Sequence, residues 1–138
     1  MMVHAFTDGA SRGNPGESGI GIIFQDEKGK VLKSIYAYIG EATNNIAEYT
    51  ALIVCLKHAQ KLHLRNLVIH SDSELLVRQM EGMYKVKEPR LRRLFEQAQA
   101  LIDANSFQCT FRHVTRDHNR EADRLANLGI DSRRAIQI

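Results

Sequence analysis

The sequence predicts an α/β fold with the element order βββαβααβα. Three observations carry this expectation: β-rich runs punctuated by turn residues open the chain, longer Ala- and Leu-rich stretches at helical spacing follow, and a short apolar run leads directly into a helix. The last pattern is that of a strand–helix unit. With 138 residues the chain suits one domain, 1–138.

Val3 to Asp8 is short and β-prone and stops at the densest turn chemistry in the chain, Asp8 to Gly19, so it reads as a strand running into a loop. Gly19 to Asp26 and Val31 to Ile39 are two further β-rich runs, and Glu27-Lys28-Gly29-Lys30 between them reads as a hairpin. Three antiparallel strands therefore open the fold. From Asn45 to about Leu62 there is no Gly or Pro, and length and propensity favour a helix.

Leu67 to Ser71 fits a buried strand, and Asp72 to Glu81 follows as a helix ended by Gly82. Pro89 suits a first helical turn, with Leu91, Leu94, Phe95, Ala98, Leu101 and Ile102 marking one face of a helix to about Ala104. Phe107 to Thr115 alternates as a strand. Glu121 to Leu128 forms the last helix, with Ala122, Leu125 and Ala126 inward. The 129–138 tail carries Arg133-Arg134 and an Ala-Ile-Gln-Ile pattern that suits an edge strand.

Composition excludes several classes. With 43% hydrophobic and 25% charged residues the chain is a globular protein, not a disordered or fibrous one. Its longest apolar run, Ala51 to Leu56, is far short of the roughly 20 residues needed to cross a bilayer, and Met1-Met2-Val3-His4 lacks the regions of a signal peptide. A cytoplasmic protein without a membrane partner is expected. Cys55 and Cys109 lie in apolar segments without a close partner and read as buried thiols, and the histidines lack zinc-site spacing. A net charge of +3 permits a polyanionic partner without demanding one.

The acids are more informative. Asp8 ends the first strand and Asp72 the fourth, and in open α/β sheets the functional crevice lies outside the carboxyl ends of strands. If those strands are neighbours, the carboxylates meet. Taken singly, Asp8 also suits an Asx turn, and Asp72 a helix cap, with Ser71 and Glu74 at capping-box spacing. Glu48 shares a helical stripe with Leu52, Cys55 and Ala59 and so points along the core side, unless Asn45 caps the helix and Glu48 closes a box. Asp123 sits at the margin of the last helix's apolar face, one turn after Asn119, and taken alone it reads better as an exposed helix residue. Converging carboxylates need a hard cation, and oxygen ligands select Mg²⁺ or Mn²⁺. Such clusters suit two-metal phosphoryl chemistry.

Four segments, Thr7-Asp8-Gly9-Ala10-Ser11-Arg12-Gly13-Asn14-Pro15-Gly16, Thr43-Asn44-Asn45-Ile46-Ala47-Glu48, Ser71-Asp72-Ser73 and Asn119-Arg120-Glu121-Ala122-Asp123-Arg124-Leu125-Ala126, together resemble a type 1 ribonuclease H. The resemblance spans almost the whole chain in family order. It implies a five-stranded mixed sheet flanked by helices, and an endonuclease that cuts the RNA strand of RNA/DNA hybrids to leave 5′-phosphate and 3′-hydroxyl ends, with two Mg²⁺ ions or Mn²⁺ in their place. Asp8, Glu48, Asp72 and Asp123 match the family's metal-binding acids, and Glu48 would also lie near the ribose 2′-hydroxyl. Asn14, Asn44 and Asn45 match contacts to the hybrid's minor groove, and Thr43 a contact to a DNA-strand phosphate. No obligate protein partner is implied.

Three departures stand out. Many relatives carry a Lys- and Trp-rich insertion between the middle helices, whereas this chain has no Trp and only the join Gly82 to Pro89. Lys85, Lys87, Arg90, Arg92 and Arg93 would have to make phosphate contacts instead, and salt-sensitive binding is expected. Glu41 stands where the family's phosphate pocket has an arginine, which puts discrimination for DNA in question and makes double-stranded RNA a candidate substrate. The loop before the last helix is compact; His118 is a candidate for the family's mobile histidine and reads at least as well as a surface histidine, Asn119 lies beside it, and Glu74 lies where relatives contact substrate. The competing reading is a non-catalytic nucleic-acid-binding domain. Four retained acids argue against it, because negative charge facing phosphates weakens binding.

Overall fold

The computed structural model describes residues 1–136. Period-two alternation sets the sheet: along β1 (Met2–Gly13), Val3, Ala5 and Thr7 are buried on one face, and His4 and Phe6 lie on the other. β2 (Gly16–Gln25) and β3 (Val31–Ala42) add antiparallel neighbours. β4 (Asn66–Ser71) and β5 (Gln108–His113) pair parallel on the other side, giving a five-stranded mixed sheet in the order β3-β2-β1-β4-β5.

Glycines show which helix covers which face. A Cβ on Gly9 would overlap the backbone of Ala47, in α1 (Asn44–Lys61), whereas one on Gly21 would overlap Ala122 in α4 (Arg120–Ser132). Gly21 pairs with Asp8 in the ladder, so Gly9 and Asp8 face opposite sides of the sheet, and so do the two helices. The main core lies on the α1 side, where Ile20, Ile22 and Phe24 of β2 meet Leu52, Cys55 and Leu56, with Leu67 and Ile69 of β4 beside them. α2 (Glu74–Met80) and α3 (Pro89–Asn105) pack around α1. That accounts for the burial of α1 on nearly every side. Tyr49 is fully buried among these groups, and its hydroxyl donates to Gln79 Oε1 at 2.6 Å, so the polar atom is satisfied.

Several boundaries differ from expectation. The glycine-rich stretch after Asp8 is not a loop: both strands continue to a tight turn at Asn14 and Pro15, joined by a cis peptide, because Arg12↔Glu17 and Gly13↔Gly16 still pair. The last helix runs to Ser132, and Arg116–Asn119 form a 3₁₀ turn before it. The expected edge strand in the tail does not form at residues 133–136, where a single main-chain bond, Tyr38 N–H to Arg134 O at 2.6 Å, holds the chain against β3. Gln137 and Ile138 lie outside the described residues. Both cysteines are free, and Cys109 is half-buried where full burial was expected, since β5 is an edge strand.

Candidate active site

The parallel register of β1 and β4 ends at Thr7↔Ser71, which makes Asp8 and Asp72 the next residues on adjacent strands. Asp8 does not end its strand, as the sequence suggested. What ends there is its parallel partner, and the crevice opens where β4 stops and β1 continues. Asp72 does not cap α2 either, because the Ser73 hydroxyl accepts from Leu76 N–H at 3.2 Å. The Asp72 carboxylate is left to the crevice.

Glu48 arrives from α1. Thr43 caps that helix, its hydroxyl accepting from Ile46 N–H at 3.2 Å, so the Asn45–Glu48 box is not formed. Glu48 Oε1 instead accepts from the main-chain N–H of Gly9 at 2.8 Å. Asp123, in the first turn of α4, comes from the opposite face of the sheet, lines the same crevice and is near enough to raise the Asp8 pKa. One oxygen each from Asp8, Glu48 and Asp72 lies within 4.8 Å of the other two.

The electrostatics follow from this packing. Burial, then the charges of Glu48 and Asp72, then Asp123, push the Asp8 carboxyl far above the carboxylate range. Burial and Asp72 raise Glu48 as well, opposed by the Gly9 N–H and by Arg116. These are acids held together against their own repulsion. An all-oxygen donor set with such uncompensated charge fits a hard divalent cation.

Around the acids the crevice is lined by Ser11, Asn44, Asn45, Ser73, His113 and Arg116. Asn14 lies at the hairpin tip, where its Oδ1 accepts from Asn44 N–H at 3.1 Å and ties the tip to the first turn of α1. The four expected substrate contacts, Asn14, Thr43, Asn44 and Asn45, are thus gathered at one edge of the crevice. His118 is not in it: the 3₁₀ turn directs it to the surface beside Phe6 and Ile23, with Nδ1 2.7 Å from the Thr115 hydroxyl. Asn119 is buried, its amide donating to Thr7 O at 2.9 Å, so it braces β1 next to Asp8. Sequence reasoning missed His113 and Arg116. Both follow from β5 lying parallel to β4, which brings its carboxyl end to the same crevice.

The family described as reverse transcriptase-like matches residues 6–129. A ribonuclease H of Halorhodospira halophila is 33% identical over 146 aligned residues, covering 94% of this chain and 93% of that protein. The chain belongs to the type 1 ribonuclease H family. Membership of the ribonuclease H family is also visible in three dimensions: the structure of LC11-RNase H1 in complex with RNA/DNA hybrid superposes with a TM-score of 0.90 at 44% identity, covering 94% of this chain and 97% of that one. The bifunctional protein Rv2228c of Mycobacterium tuberculosis is 44% identical over 134 residues, 96% of this chain, which spans only 36% of that protein's length. As a ribonuclease H the chain is lean between its middle helices. The only connection from α2 to α3 is the segment 81–88, pinned by buried Val86.

Proposed function

We propose that this chain, 1–138, is a catalytic unit that hydrolyses the RNA strand of RNA/DNA hybrids, leaving 5′-phosphate and 3′-hydroxyl ends. Asp8, Glu48, Asp72 and Asp123 would hold two Mg²⁺ ions, with Mn²⁺ a workable substitute. The observation that carries the reading is the close set of three carboxylates, extended by Asp123, in a crevice open beside Asn44 and Asn45. Two bound ions would supply charge neutralisation for both the attacking and the leaving oxygen of an in-line displacement. The chain's own groups do the positioning. Gly9 fixes one Glu48 oxygen, leaving the other free to face the ribose 2′-hydroxyl that marks the RNA strand. Asn44 and Asn45 offer amides to base and sugar edges, and Arg116 supplies positive charge opposite the acids for a backbone phosphate.

A labelled hybrid tests the proposal. Cleavage of the RNA strand that needs Mg²⁺ or Mn²⁺ and is lost in Asp8→Asn is the expected result; a wild-type chain that binds hybrid and never cuts it under either metal is instead a binding module. Weak cutting of double-stranded RNA is a second expectation. It rests on Glu41, which faces Glu17 across the ladder and offers a DNA phosphate at Thr43 no positive partner. Parallel assays on hybrid and double-stranded RNA decide it.

A further inference from the structure

Along β1, Asp8, Ala10 and Arg12 share the face of the sheet that α4 covers, and along α4 Asp123, Asn127 and Asp131 follow one another a turn apart on one stripe. The two rows run side by side. At one end Asp8 and Asp123 meet in the acid crevice. At the other the Arg12 guanidinium reaches α4, donating from Nη1 to Asp131 Oδ1 at 2.7 Å and from Nη2 to Asn127 Oδ1 at 3.4 Å. Asn127 stands between the two ends. Its Nδ2 donates to Asp123 O at 3.1 Å and, at 3.5 Å, lies against Oδ1 of the Asp123 carboxylate itself. No other N–H among the described residues reaches that carboxylate.

We infer that Asn127, oriented by Arg12, is a positioning residue for Asp123: its amide N–H holds one carboxylate oxygen and leaves the other to the divalent cation. The inference rests on the metal-dependent hybrid-cutting reading above and adds to it the group that aims the fourth acid. An Asn amide can turn either end toward a carboxylate, and only its NH₂ end attracts one. The guanidinium carries donors alone, so it takes the carbonyl end of Asn127 and turns Nδ2 toward Asp123. Asp8 gives Asp123 no such hold, because two ionised carboxylates repel. Glu48 shows the matching arrangement, with one oxygen committed to Gly9 N–H, and carboxylates that ligate metals are in general oriented by a hydrogen bond of their own. Arg12 also lies two residues before Asn14, which ties the same hairpin to Asn44 N–H. One hairpin therefore braces both helices that deliver acids, α1 through Asn14 and α4 through Arg12.

The test is calorimetric titration of the full chain with Mn²⁺, read beside melting curves in EDTA and the Mg²⁺ dependence of hybrid cleavage. Ala is the better helix former, so if the Asn127 bonds serve only the helix, Asn127→Ala leaves Mn²⁺ affinity as it is. Expected instead are a melting temperature in EDTA that is unchanged or slightly higher, Mn²⁺ affinity about tenfold weaker, and a Mg²⁺ concentration for half-maximal cleavage about tenfold higher at unchanged hybrid KM. Arg12→Ala should weaken Mn²⁺ binding in the same direction and add nothing to Asn127→Ala, because its effect runs through the amide. Arg124→Ala, which breaks an exposed pair with Glu121 on the same helix, is the control and leaves Mn²⁺ affinity unchanged. Mn²⁺ affinity of Asn127→Ala within about twofold of wild type, or effects of Arg12→Ala and Asn127→Ala that add in full, overturns the inference. The cutting reading is judged separately: a wild-type chain that binds Mn²⁺ and never cuts hybrid counts against that reading, whereas one that cuts while Asn127→Ala binds Mn²⁺ as tightly counts against Asn127.

Discussion

The main-chain N–H of Gly9 and the side chain of Glu48, 39 positions apart, are joined at 2.8 Å. The bond is possible only because β1 and α1 touch backbone to backbone, where a Cβ at Gly9 would overlap Ala47 and Glu48. Gly9→Ala is expected to cost about 3 kcal/mol or more, since neither backbone can give way, and to abolish hybrid cleavage with it. Urea unfolding followed with and without Mg²⁺ checks both halves. A variant of normal stability and activity contradicts the geometry.

Asp8→Asn separates function from stability. Removing the buried carboxylate takes away one of the proposed metal ligands and should lower kcat by about 100-fold or more, the equivalent of losing some 3 kcal/mol of charge stabilisation. The same change relieves repulsion with Glu48, Asp72 and Asp123. In EDTA the variant should therefore melt higher than wild type, by about 1–2 kcal/mol or roughly 3–8 °C.

The raised Asp8 and Glu48 carboxyls also give the metal-free protein a definite pH dependence. Above the ordinary carboxylate range, about pH 4, the unfolded chain has lost protons that the folded crevice still keeps, so the folded state binds more protons. Stability must then fall as pH rises through the two folded-state values. Saturating Mg²⁺ replaces those protons and should flatten the slope. Melting curves from pH 5 to 9 in EDTA and in Mg²⁺ measure it, and a metal-free stability that climbs over this range would refute the assignment.

Arg116 and His118 are two residues apart and should behave differently. Arg116 lines the acid crevice and opposes the rise of the Glu48 pKa, so Arg116→Ala is expected to reduce kcat/KM about tenfold, roughly 1.4 kcal/mol. His118 faces another surface, and His118→Ala should stay within about twofold of wild type. Steady-state kinetics on one hybrid rank the pair.

The element order and the convergence of Asp8, Glu48 and Asp72 could be read from residue patterns, because strand alternation and the helical stripe of Glu48 each constrain where a side chain points. The cap residues could not be read so well. Thr43 and Asn45 offer equally good caps, and the choice fell to Thr43 because Glu48 is drawn to Gly9 by a tertiary contact that no local pattern encodes. Turn chemistry misled at Asp8 to Gly19. Those glycines serve close packing against α1 and α4 as well as the turn, and the strands run on through them. Arg116 and His113 were invisible until strand order was known.

α4 rests on β2 and β3 through Gly19, Gly21 and Gly129, each without room for a side chain. The helix that delivers Asp123 thus has no adjustable cushion beneath it. Its distance from Asp8 is set by main-chain thickness, which no substitution elsewhere in the core can tune. Any change in the spacing of the acids would have to begin at these glycines, so the most inert residues of the chain act as the gauge of its chemistry.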